Sequence, residues 1–230
     1  MIHFEFRNFE PNSVEAVRSA AAAAAKLIFA DGIFPPTKSD PVYVDRVDEG
    51  SALLVANSAN QIIQVRCSHH LTWEFIYQYS HELGHLATRA DVRFFKAGSH
   101  PWIEEALCGA CSVFVTEQIV KAPCFTDEEV AACTKFIQSN YSGSGVDASW
   151  LSQNVVALKR ATEASPLTRR LGGWIADRFP AGEFLSDNRV LKDVPLIPDL
   201  EKYLNRWSVE CAHPENVADA LLGLVSNCLR

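Results

Sequence analysis

No apolar run in this chain approaches the eighteen or so residues that a membrane-spanning helix requires, so no span is expected. Basic residues are in deficit: 21 Lys and Arg stand against 28 Asp and Glu, for a formal net charge of −7. Those 21 are scattered without a basic stripe, which argues against sequence-independent nucleic-acid binding. The opening stretch Met1-Ile2-His3-Phe4-Glu5-Phe6-Arg7 lacks a basic segment leading into an apolar one, so no export signal is expected. The six-alanine run Ala20 to Ala25 follows Glu10, Glu15 and Arg18 and reads as the buried face of a helix. Internal repeats are absent. A disulfide framework is also not expected. The seven cysteines are odd in number, and several fall in apolar helical patterns, where Cys behaves as a small buried hydrophobe. A reducing, cytoplasmic compartment fits that usage.

What is present suffices for a substantial core: 230 residues, 48% of them hydrophobic. Ile2 to Phe9 alternates as a half-buried strand does, and Asn12 or Ser13 could cap a helix running to about Ala30. Pro41 to Val47, Ala52 to Ala56 and Gln61 to Arg66 read as strands, the last two joined as a hairpin by Asn57-Ser58-Ala59-Asn60. From Leu71 onward the pattern is helical: Leu71 to Thr88, Trp102 to Val120 behind Pro101, Thr126 to Ser139, Ser149 to Ala164, Pro166 to Phe179, Pro198 to Trp207 and Pro214 to Leu229. Tyr141-Ser142-Gly143-Ser144-Gly145 reads as a flexible loop, and the five Trp as core. The expected fold class is α+β: an N-terminal α/β lobe over residues 1–90 and a helical lobe over 91–230, with the functional cleft between them.

The helix over Leu71 to Thr88 carries His81-Glu82-Leu83-Gly84-His85, an H-E-x-x-H pattern. Residues four apart in a helix lie one turn apart on one face, so two imidazoles can hold one metal ion. Glu82 lies beside the first of them and can reach a water there, which is the physical basis of a zinc peptidase motif. A catalytic zinc site takes three protein ligands. The third is sought in Pro101-Trp102-Ile103-Glu104-Glu105-Ala106-Leu107, where Glu104 and Glu105 point about 100° apart around a helix and only one can face the metal. His100 is a weaker alternative.

These residues carry a resemblance. H-E-x-x-H followed by Trp102-Ile103-Glu104-Glu105-Ala106-Leu107 resembles the gluzincin zinc peptidases, particularly those related to the aminopeptidase group. The same motif followed by Glu-Glu-Ala also resembles the compact cytoplasmic zinc peptidases of the ImmA/IrrE group. The first likeness spans His81 to Cys111 and implies a zincin-like fold, Zn2+ as cofactor, a peptide or protein substrate, Glu105 as third ligand and Glu82 as general base. It also implies a downstream Tyr or His as oxyanion donor, for which Tyr141, Tyr203 and His213 are the choices, and a substrate bound along an exposed sheet edge, either at Gln61 to Arg66 or elsewhere if that strand is internal. The thermolysin-like branch keeps an Asp four residues after its glutamate ligand, where this chain has Gly109; Asp91 is the candidate to stand in for it. Alternatives from other classes are an inactive zincin-fold regulator and a metal-stabilised structural module. Cys108-Gly109-Ala110-Cys111 reads as two buried helix thiols rather than a redox pair, because it falls inside a helix.

Overall fold

The computed structural model describes residues 3–29, 41–49, 53–56, 61–68, 70–88, 96–160 and 165–228. Pro35-Pro36, His69 and Asp91 fall outside these residues. The chain is a mixed α+β protein, with four strands and nine α-helices among the described residues.

The strands are β1 (Phe4–Arg7), β2 (Val42–Arg46), β3 (Leu53–Ala56) and β4 (Gln61–Val65), in the sheet order β1-β2-β4-β3. β1, β2 and β4 are parallel, with Phe6 opposite Val44 and Val44 opposite Ile63. β3 runs antiparallel to β4, Leu54 opposite Ile63, which is the pairing expected of the 52–66 hairpin. β4 is therefore an internal strand paired on both sides, and the sheet edge beside it belongs to β3. Alternate β2 residues Val42 and Val44, and β4 residues Gln61, Ile63 and Val65, are buried while their neighbours are half-exposed. This is the period-two pattern of a sheet with one face on the core.

The helices are α1 (Val14–Ile28), α2 (Trp73–Thr88), α3 (Pro101–Ile119), α4 (Asp127–Asn140), α5 (Ala148–Leu158), α6 (Pro166–Arg178), α7 (Phe184–Val190), α8 (Leu200–Glu210) and α9 (Val217–Cys228). α1 buries Val17, Ala20, Ala21, Ala24, Ala25 and Ile28, so the alanine run is a helix face. Ser13 occupies its N-cap position without capping through its side chain; the hydroxyl lies 3.1 Å from His70 Nδ1 instead. α7 has no counterpart in the sequence reading. Two of the five Trp, Trp102 and Trp207, are fully buried core; Trp73, Trp150 and Trp174 are half-buried, on helices with one face toward solvent.

Two compact units result. One comprises Met1–Ala87 with Cys111–Ile137, the other Thr88–Ala110 with Gln138–Arg230. In the first, Phe75 and Tyr79 of α2 stack with ring centroids 5.4 Å apart and meet Phe9 and Phe4 edge-on at 5.7 and 5.9 Å. Burying aromatic area of this size is worth about 2–3 kcal/mol per ring, and the edge-on contacts add to it. In the second unit, α8 packs against α9, and Leu204, Trp207, Val217, Ala218 and Leu221 of these helices are buried.

Candidate metal centre

α2 is anchored at its start. Thr72 Oγ1 accepts from the Phe75 N–H at 3.4 Å, where a helix has unsatisfied donors. One turn on, the Gln78 amide takes both the N–H and the C=O of Arg66, each at 2.6 Å. That pair closes the end of β4 as another strand would and ties the sheet to the helix that carries the motif. From Tyr79 to Thr88 every α2 residue is buried.

The rings of His81 and His85 meet at 4.9 Å between centroids, inclined at 73°. Both are nearly inaccessible, at 2% and 8% exposure, and Glu82 between them is at 1%. α3 supplies the rest. Apart from Glu104 and Glu105, its residues from Trp102 to Val113 are apolar or small, and all of them are buried. Its Glu105, at 7% exposure, completes a group with the two histidines: one ligand atom from each of His81, His85 and Glu105 lies within 4.8 Å of the others. Zinc–nitrogen and zinc–oxygen bonds run about 2.0–2.2 Å, so small side-chain rotations would bring all three donors onto one ion. Two imidazoles and a carboxylate form a donor set that fits a divalent transition metal, zinc among them. Glu104 is completely buried too, but does not belong to the group. A divalent cation held by His81, His85 and Glu105 would offset the cost of burying a charged carboxylate there.

The other expected site residues separate clearly. His100 Nε2 lies 2.9 Å from the Ile197 carbonyl, its ring packs 4.7 Å from Tyr203, and burial pushes its pKa down; it is no part of the group. Tyr203 is fully buried between His100 and Trp207. His213 is exposed and lines a separate cavity of about 670 Å³ with Arg178, Glu183 and Asn216. Tyr141 is 5% exposed and lies against α3 at Gly109, four residues beyond Glu105: a Cβ on Gly109 would stand 3.1 Å from Tyr141 Cε1 and 3.3 Å from its hydroxyl.

The loop that carries Tyr141 is tightly docked rather than loose. A Cβ on Gly143 would come within 2.4 Å of the Trp174 backbone, and one on Gly173 within 1.8 Å of the Tyr141 carbonyl oxygen. Arg170 donates to the Ser144 carbonyl at 2.5 Å. Gly172 and Gly173 went unread as contact residues in the sequence. The signal was a glycine pair inside a helix, which costs about 1 kcal/mol per residue unless close approach demands it. Cys108 and Cys111 are buried and unbridged. No helix among the described residues is long and apolar enough to cross a membrane.

Comparison with known proteins found no matching family model, curated protein or solved structure.

Proposed function

We propose that this chain is a zincin-type, zinc-dependent peptidase acting on peptide or protein substrates in the cytoplasm. The observation that carries the reading is the convergence of ligand atoms of His81 and His85 on α2, the helix of Glu82, and of Glu105 on α3 to within 4.8 Å. His81, His85 and Glu105 would hold the ion. Bound zinc supplies Lewis acidity and brings the pKa of water close to neutrality. Glu82, next to His81 and shielded from bulk water, takes the proton of the attacking water and passes it to the leaving amine. Tyr141 is the hydroxyl we assign to donate to the carbonyl oxygen as charge develops on it, because it lies against the helix of Glu105 at Gly109. The antiparallel edge strand β3 offers a ladder along which an extended peptide can add.

The near-complete burial of the donors favours a second reading, a closed metal site that only stabilises the fold. Glu82 separates the two, because a structural site has no use for a general base. The experiment is zinc content and hydrolysis of a mixed peptide library for wild type and Glu82→Gln. A peptidase loses hydrolysis and retains zinc after that change. A stabilising site shows no hydrolysis in either protein, and undiminished hydrolysis in Glu82→Gln would overturn the mechanism.

A further inference from the structure

We infer that Gly109 is a positioning residue for Tyr141, setting its hydroxyl one helical turn from Glu105; the inference rests on the metal site proposed above. Gly109 lies mid-helix, where glycine is about 1 kcal/mol worse than alanine. Nothing in its backbone conformation demands glycine, for its φ is not positive. The demand is spatial: a methyl here would stand 3.1 Å from the Tyr141 Cε1 and 3.3 Å from its hydroxyl oxygen, closer than a side chain normally tolerates.

The same ring also faces α6. A Cβ on Gly172 would already stand 3.5 Å from the same Cε1, and the Tyr141 carbonyl oxygen fills the place of a Gly173 side chain. The Gly172 Cβ position is also 2.8 Å from the Ala106 carbonyl oxygen, so α6 meets the backbone of α3 immediately after Glu105. Glu105 and Gly109 share a face of α3, about 6 Å apart along its axis. A methyl at 109 therefore pushes the Tyr141 ring and its hydroxyl aside by a few tenths of an ångström.

Two readouts test this. In the first, Co2+ is loaded in place of zinc and the dissociation constant of acetohydroxamate is read from the visible spectrum. Gly109→Ala is expected to retain cobalt and bind acetohydroxamate about tenfold more weakly, as Tyr141→Phe does. The double variant is expected to be no weaker than Tyr141→Phe alone, because the glycine acts through that hydroxyl. Unchanged affinity in Gly109→Ala, or effects that multiply in the double variant, would overturn the inference. In the second, Tm is measured with and without the phenol. Gly109→Ala is expected to lower Tm in the wild type and raise it in a Tyr141→Ala background, where space opens and helix propensity is gained. A fall in both backgrounds would overturn the contact itself. Failure of the wild type to bind cobalt would remove the metal reading, and leave the glycine a packing role only.

Discussion

The imidazoles of His81 and His85 stand one turn apart on α2, ring centroids 4.9 Å from each other, and Glu105 of α3 brings a carboxylate oxygen within 4.8 Å of both. Removing any one of the three leaves a two-point site. His81→Ala, His85→Ala and Glu105→Ala are each expected to weaken zinc binding by about 100-fold or more, whereas Glu104→Gln keeps stoichiometric zinc. Thermal melts with and without zinc check this. A ligand at 100 times its dissociation constant stabilises the native state by about 2.7 kcal/mol, and that gain disappears in the three ligand variants.

His100 makes stability depend on pH. Burial holds its pKa below the ordinary histidine value, opposed by the hydrogen bond to the Ile197 carbonyl; Lys159 lowers it and Asp199 raises it further. The unfolded chain thus takes up the proton first as pH falls. The contribution is fully present above about pH 6.5 and is lost as acidification carries the solution down toward the folded pKa. Tm is expected to fall between pH 7 and pH 5, and the fall is expected to shrink in His100→Gln. An equal fall in both proteins would remove His100 from the account.

Thr126 and Glu129 form a reciprocal cap at the start of α4. The Thr126 hydroxyl accepts from the Glu129 N–H at 3.2 Å and the Glu129 carboxylate accepts from the Thr126 N–H at 2.9 Å. Thr126→Ala is expected to cost about 1 kcal/mol, readable as a shift of about 2–4 °C in Tm for a chain of this size.

Thiol reactivity is expected to separate by burial. Cys67 is pushed up to about 12 and Cys133 to about 11, in both cases chiefly by burial, with Glu74 adding to each and Glu117 to Cys133. At pH 8 their thiolate fractions are small. Iodoacetamide is therefore expected to label exposed Cys124 first and to reach these two only on unfolding, as peptide mapping would show.

Helix periodicity, capping signals and proline positions placed most elements to within a few residues, and H-E-x-x-H with its following Trp-x-x-Glu marked the residues that converge. These are local signals, carried by side chains close in the chain. What stayed hidden depends on distant partners. α7 is short and rich in Ser, Asp and Asn; it forms around Asp187, whose carboxylate accepts from the Val217 N–H and whose carbonyl accepts from the Trp207 indole. The internal position of β4 depends on its parallel pairing with β2, which is distant in the chain. The docking of Tyr141 depends on Gly172 and Gly173 of α6, which are 31 and 32 residues away, and a Gly-Ser-Gly stretch read alone looks like slack chain.

The most direct measurement is zinc-edge X-ray absorption on the zinc-loaded protein. The expected spectrum has two imidazoles and carboxylate oxygen at about 2.0–2.2 Å, with the imidazole scattering reduced in His81→Ala. A sulfur shell near 2.3 Å, which would bring Cys108 or Cys111 to the metal, or a protein that takes up no zinc, would contradict it.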